Sequence, residues 1–177
     1  MAASALNAVL RSATPAAVVD AEWARPFRLS AYIGHYDVPD DLVVSVRCLV
    51  RVGDEVVLCT DSAGAGDVLP GGRRREGETY VETACREVHE ETGWRLDLAS
   101  LEPIGLIHLR NLGDPLPPYP YPDAVHLVCR GLGVEREAAD WTDTEGQIVR
   151  AELVSIDEAD RQISGDGLGR PFLRLAW

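Results

Sequence analysis

Along this chain the first sustained alternation of apolar and polar positions begins at Leu42. In LVVSVRCLV, Val44, Val46, Cys48 and Val50 alternate with Val43, Ser45, Arg47 and Leu49, and a period of two predicts a strand. Gly53-Asp54 separates it from a second run, Val56–Thr60, so the pair reads as a hairpin. A Gly-rich loop over 62–66 and the segment Val68-Leu69-Pro70-Gly71-Gly72 follow. The period then changes. Val81, Ala84, Cys85 and Val88 fall at i, i+3, i+4 and i+7, the stripe of an amphipathic helix over about 79–92. Thr79 followed by Glu82 is a capping-box signal, and Gly93 is a natural residue just past the helix end.

Further strands are expected at 101–110, 124–131 and 148–154, with short helices starting near Ile156 and Arg170. The segment DPLPPYPYPD over 114–123 is too rich in proline for either. Residues 1–41 differ in texture: an Ala-rich start suited to a short helix, a candidate added strand near 27–34, and a Pro/Asp turn at 37–41. They are read as an N-terminal extension, with 42–177 as the main domain. Strands interleaved with few helices predict a mixed α/β (α+β) fold.

At 177 residues the chain has the size of one domain with a proper core. The net charge of −12 adds a constraint, because such a surface repels nucleic acid and anionic membranes at long range. Neither is therefore expected as a partner, and a phosphate-bearing substrate would have to be recruited locally by a metal or by placed arginines. No apolar run reaches the roughly 18 residues of a membrane helix. The N-terminus carries a single Arg11 and no continuous apolar stretch of the secretory kind. Cys48, Cys59, Cys85 and Cys129 form no C-x-x-C pair and read as reduced, mostly buried hydrophobes, which fits a cytoplasmic location.

The candidate chemistry lies on the predicted helix. Glu87, Glu90 and Glu91 stand at i, i+3 and i+4, on one sector, expected to point away from the Val81/Ala84/Val88 stripe. Like charges at this spacing cost an isolated helix about 0.2–0.5 kcal/mol per pair. A bound cation reverses that sign, and hard divalent ions take oxygen ligands. A bare E-x-x-E-E is also what a solvated acidic face looks like.

The surrounding residues bear on that choice. Gly72 to Trp94, GRRREGETYVETACREVHEETGW, resembles the Nudix box G-x5-E-x7-R-E-U-x-E-E-x-G-U, where U is bulky and apolar. Gly72, Glu78, Arg86, Glu87, Glu90, Glu91 and Gly93 fill the fixed positions, and Val88 and Trp94 the U positions. At residue frequencies of about 5–7%, seven such matches arise by chance roughly once in 10⁸–10⁹ windows. Leu69–Gly72 resembles the family's lead-in to the box, and 151–159 its closing strand and last helix, so the likeness covers about 42–165. Departures are Trp94, larger than the usual aliphatic residue, no aromatic near Asp67, and Leu153 where Trp is common.

The resemblance implies the Nudix fold, a mixed β-sheet sandwiched between helices with the box as loop–helix–loop. It implies hydrolysis of a diphosphate linkage in a nucleoside diphosphate linked to another moiety, or in a nucleoside triphosphate, with Mg²⁺ or alternatively Mn²⁺. Glu87, Glu90 and Glu91 would hold the metal, joined by the carbonyl of Gly71 or Gly72. Glu78 and Arg86 would form a structural ion pair, and Gly93 would close the helix. The general base would be Glu91 or Glu90, or else Glu145, just ahead of the closing strand. Two other readings share the family: a non-catalytic nucleotide sensor, and an isoprenoid diphosphate isomerase. The complete set of box glutamates favours hydrolysis, and no cysteine is placed for the isomerase.

Arg73 and Arg75 should point one way after the Gly-Gly turn and Arg74 the other. Arg73, Arg75 and Arg47 are candidate phosphate contacts, against a solvated cluster for the first two and a cross-strand ion pair for Arg47. Tyr119 and Tyr121 are candidates to stack on a substrate base, against a rigid surface loop or a dimer contact. His35, His89, His108 and His126 have no metal-ligand spacing and read as structural. A homodimer is a further expectation from the resemblance.

Overall fold

The structure, a computed structural model, describes residues 2–22, 25–137, 143, 147–164 and 167–176. Helix α1 (Ala2–Ser12) leads into strands β1 (Ala17–Glu22), β2 (Pro26–Ile33), β3 (Val43–Val52) and β4 (Glu55–Asp61). Two short strands, β5 (Gly66–Asp67) and β6 (Gly71–Arg73), precede helix α2 (Tyr80–Thr92). Strands β7 (Trp94–Leu96), β8 (Glu102–Asn111), β9 (Asp123–Arg136) and β10 (Ile148–Val154) follow, then helices α3 (Ile156–Gln162) and α4 (Arg170–Leu173).

The strands join in the order β1-β2-β8-β9-β3-β4-β10, with β5 on β4, β6 on β3 and β7 on β9. Only β3 and β9 run parallel among the described pairs, which makes the sheet mixed. Alternation along β9 shows how it is sandwiched. Val125, Leu127 and Cys129 face the side covered by α1 and α2, where Leu6, Ala84 and Val88 pack. Ala124 and Val128 face the side covered by α3 and α4, with Ala159, Phe172 and Leu173. As an interior strand, β3 is buried on both faces, so its two alternating sets are both largely apolar.

One departure from regularity positions the site. After the hairpin turn, β3 and β4 pair only at Arg51↔Val56 and Val52↔Glu55. Beyond that they diverge: β6 takes over the edge of β3 along Ser45–Arg47, and β5 that of β4. Buried Val68, Leu69 and Pro70 fill the split. Gly71 is obligatory there, since a Cβ would lie 2.2 Å from the Val46 carbonyl and φ is +145°.

Helix α2 starts and stops as the sequence predicts. Thr79 Oγ1 accepts from the Glu82 amide at 3.2 Å, while Glu82 Oε2 accepts from the Thr79 amide at 2.8 Å. Gly93 adopts φ 72° in the left-handed region. The buried stripe is rotated from the expected one. Tyr80, not Val81, packs with Ala84 and Val88, and Cys85 is only partly covered. The rotation carries Glu87 into the interior at 7% exposure, so the glutamates do not all point away from the core.

The described residues before Leu42 are knitted into this frame: β2 pairs with β8 over Phe27–Ile33, β1 pairs with β2, and Leu6 of α1 is 1% exposed. Strand β1 went unpredicted because its short alternation, AVVDAE, lies within a segment read as an extension. Among the described residues no helix is long and apolar enough to cross a membrane.

Thr79→Ala removes the side-chain arm of the capping box, the Glu82 amide to Thr79 Oγ1, and leaves the backbone arm, the Thr79 amide to Glu82 Oε2. It should lower stability by about 1 kcal/mol in urea titration without changing the slope of the transition.

Candidate active site

Helix α2 presents its carboxylates around one cation. Arg86 Nε and Nη2 donate to the two carboxylate oxygens of Glu78 at 2.7 and 2.8 Å, a bidentate pair. Its Nη1 donates to Glu87 Oε1 at 2.6 Å and to Glu90 Oε2 at 3.0 Å, and Nη2 also reaches the Arg73 carbonyl at 3.0 Å. All five N–H groups of the guanidinium are thereby used. Glu78 accepts further from the Arg75 amide and the Thr83 hydroxyl. The Arg86 bonds above all, with those two, hold its carboxyl down to about 2. The expected Glu78–Arg86 contact is therefore present, as the anchor of a larger network.

Glu91 is set apart. Its Oε2 accepts from the Gly71 amide at 2.7 Å, tying the C-terminal turn of α2 to the split in the sheet. Burial pushes its pKa up to about 7; the Arg47 charge and the Gly71 amide pull the other way, while Glu87 and Asp143 add to the rise. Arg47, on the α3/α4 face of β3, lines a cleft of about 250 Å³ with Glu91, Asp61, Asp67, Pro70 and Gln147. The split lets a helix on one face of the sheet and an arginine on the other meet at one cleft.

The remaining arginines divide as strand geometry requires. Arg74 turns the other way, to a bidentate pair with Asp40 at 2.7 and 2.9 Å. Arg73 donates to Tyr119 Oη, and its guanidinium lies 5.0 Å from that ring's centroid. Arg75 comes within 3.4 Å of Glu90. Tyr121 is 52% exposed and stands apart from the carboxylates. The structure thus brings Arg47 to Glu91, Arg75 to Glu90 and Arg73 to Tyr119, while Glu145 lies outside the described residues.

Sequence reading missed Asp143. Its Oδ2 accepts from the Gln147 and Ile148 amides at 2.7 and 2.8 Å, capping the start of β10, and its charge reaches Glu91. An Asp a few residues ahead of a predicted strand was the available signal. Of the histidines, His108 Nε2 pairs with buried Asp123 at 2.8 Å beneath α1, on the opposite face from the Arg47 cleft.

The donor chemistry suits a hard divalent ion: carboxylates and backbone carbonyls, with all-oxygen ligation. Gly72 shows how tightly the loop meets the helix, since a Cβ there would lie 2.5 Å from Glu87 Oε2. The Gly72 carbonyl accepts from Ser45 Oγ at 2.7 Å, which leaves the Gly71 carbonyl as the less committed backbone oxygen. Among the described residues no three His, Cys, Asp or Glu groups converge on a single point, since Glu87 and Glu90 are turned onto Arg86. Mg²⁺ typically asks for only one or two carboxylates and completes its shell with water and substrate phosphates, so the residues fit.

The family profile described as NUDIX domain matches residues 41–175. The fold is similar to that of the pyrophosphohydrolase BsRppH of Bacillus subtilis, with TM-score 0.55, 20% identity and 77% of each chain covered. It is also similar to a NUDIX hydrolase from Nitrosomonas europaea, with TM-score 0.55 and 23% identity over 76% of this chain and 84% of that one. The MutT protein of Bacillus halodurans gives TM-score 0.52 and 23% identity over 75% and 80%. At such identities these likenesses concern the fold alone. A stretch of 93 residues, 49% of this chain, is 33% identical to an octanoyltransferase of Myxococcus xanthus, and the match spans 25% of that protein's length.

Glu91 should set a pH dependence in the metal-free protein. Its folded pKa is raised, so the stability it contributes is full below about 4.5 and is lost as pH rises through about 7. In EDTA, wild type should therefore lose stability relative to Glu91→Gln between pH 5 and pH 8, by about 1.4 kcal/mol for each tenfold change in proton affinity. Parallel urea-unfolding profiles for the two proteins would show that Glu91 titrates normally.

Proposed function

The chain belongs to the NUDIX domain family, the Nudix hydrolases, and from that premise we propose that it hydrolyses a diphosphate linkage in a small nucleotide-like substrate with the help of Mg²⁺. The observation that carries this reading is the meeting of Glu91, the Gly71 loop and Arg47 at one cleft, with Glu87 and Glu90 adjoining on the same helix.

Glu87, Glu90, Glu91 and the Gly71 carbonyl are the residues that would hold the ion. A divalent cation bound there supplies charge neutralisation for the diphosphate and a bound water of lowered pKa. Everything else falls to the chain. Arg47 offers a planar guanidinium to phosphate oxygens from the opposite wall of the cleft. Glu91, which the split in the sheet brings to the cleft beside Arg47, is the residue that would accept a proton from an attacking water. Arg86 holds Glu87 and Glu90 through its Nη1, and so acts as a positioning residue. Asp143 adds negative charge beside Glu91, which favours the recruitment of a cation. Arg75, 57% exposed at its side chain, and Arg73 stand ready for outer phosphates. Hydrolysis of this kind asks the protein mainly for positioning and charge stabilisation, and these residues supply both.

A release assay for phosphate and pyrophosphate tests the proposal, using nucleoside triphosphates, ADP-ribose, nucleotide sugars and dinucleoside polyphosphates with Mg²⁺ and then Mn²⁺. Turnover of at least one substrate is expected, falling about 10²–10⁴-fold in Glu91→Gln and strongly in Glu90→Gln. Glu145→Gln belongs in the same series: lost turnover with unchanged metal affinity would move the base from Glu91 to Glu145. No turnover with any substrate and either metal would overturn hydrolysis in favour of a nucleotide sensor, for which ligand-induced stabilisation is the readout.

A further inference from the structure

Glu90 is held by two guanidiniums of unequal standing. Its Oε2 accepts from Arg86 Nη1 at 3.0 Å, and its Oε1 from Arg75 Nη2 at 3.4 Å. Arg86 is 16% exposed at its side chain and spends all its N–H groups on the network already described. Arg75 is 57% exposed, and its contact lies at the long limit of a hydrogen bond. A hard cation takes carboxylate oxygens, so it gains Glu90 by replacing one of these partners. Of the two, Arg75 can yield without breaking the ties among Glu78, Glu87 and the helix.

The main chain of Arg75 stays fixed when its side chain moves. The amide donates to Glu78 Oε2 at 2.9 Å, and the carbonyl accepts from the Glu78 amide at 3.1 Å. The residue is thus rooted on the same glutamate that anchors Arg86, and the long side chain swings from that root. An ion pair so exposed holds weakly in water, so little opposes the exchange. We propose that Arg75 is the resident counter-cation of Glu90, displaced when a divalent ion binds, and that the freed guanidinium then grips the diphosphate of the substrate. The proposal rests on the hydrolase reading for the identity of that substrate.

Charge and reach both support the second half of this exchange. In the unloaded protein Arg86 and Arg75 face Glu78, Glu87 and Glu90, so each cation is matched by a carboxylate. A divalent charge in the place of Arg75 leaves that guanidinium without its counter-ion, beside a site that the diphosphate must enter. A phosphate oxygen that shares a hard cation with Glu90 lies within about 4 Å of that carboxylate, since each metal–oxygen bond is about 2.0–2.1 Å. The side chain therefore travels a short way from one anion to the next. Its planar fork suits phosphate oxygens as well as a carboxylate. Arg73, which strand alternation points to the same side, is already committed to Tyr119. Arg75 would thus make metal loading and diphosphate binding mutually supportive, because the ion releases a group that the phosphate needs.

Two affinities of opposite expected sign test the exchange. Calorimetry on the full chain would measure Mn²⁺ binding to wild type, Arg75→Gln and Arg73→Gln. It would then measure methylenediphosphonate, a diphosphate analogue whose carbon bridge resists hydrolysis, at saturating Mn²⁺. Circular dichroism would confirm that each variant is folded. Arg73→Gln removes the same charge from the same side and so controls for the general field. Arg75→Gln should bind Mn²⁺ about threefold more tightly than Arg73→Gln, the scale of an exposed ion pair. It should also bind methylenediphosphonate about threefold more weakly than wild type does. Equal Mn²⁺ affinities in the two variants, an unchanged diphosphonate affinity, or a fall in both affinities of Arg75→Gln would overturn the proposal. Any of these results beside turnover in the release assay leaves the hydrolase reading standing. Absence of Mn²⁺ binding by wild type would overturn the exchange and the metal-dependent reading together.

Discussion

The Arg86 guanidinium is the interaction on which the site depends. Three glutamates of α2 and its preceding loop, together with the Arg73 carbonyl, take its five N–H groups. Without it, Glu87 and Glu90 would repel each other across one turn and Glu78 would keep only its bonds to the Arg75 amide and the Thr83 hydroxyl. With it, loop and helix become one unit whose carboxylates are held in place before any ligand arrives. A lysine could offer only three donors from a point charge and could not span the same acceptors.

The second requirement is close approach. A helix on one face of a sheet ordinarily cannot share a cleft with a side chain on the other. Here the early divergence of β3 and β4 opens the sheet, and the glycine pair lets the backbone thread the gap. Gly71 presses on the backbone of β3 and Gly72 on the carboxylate of Glu87, so a side chain at either position would push the loop away. The arrangement is specified as much by atoms that are missing as by those present.

Most of the frame was legible in the chain because it rests on local signals. The two-residue period of β3, the turn at Gly53, the capping box at Thr79 and the closing Gly93 each act over a few residues. The box spacing placed Glu78 against Arg86 for the same reason. What escaped depends on long-range packing. Helical spacing allowed either Tyr80 or Val81 to lead the buried stripe, and only the docking angle on the sheet chose Tyr80, burying Glu87 with it. Asp143 comes to Glu91 because β10 pairs with β4, and His126 comes to Arg47 because β9 lies parallel to β3. Neither adjacency leaves a mark in local sequence.

The hydrogen bond from the Gly71 amide to Glu91 links two kinds of structure, a backbone ladder and a titrating side chain. Pro70, one residue earlier, holds the Cys48 amide through its carbonyl at 2.9 Å, so the loop is pinned to β3 immediately beside that bond. The charge on Glu91 is therefore felt by a backbone nitrogen that is fixed in place. That single amide works as an internal electrometer, and its nuclear resonance carries a record of whether the glutamate is protonated, ionised or engaged by a cation.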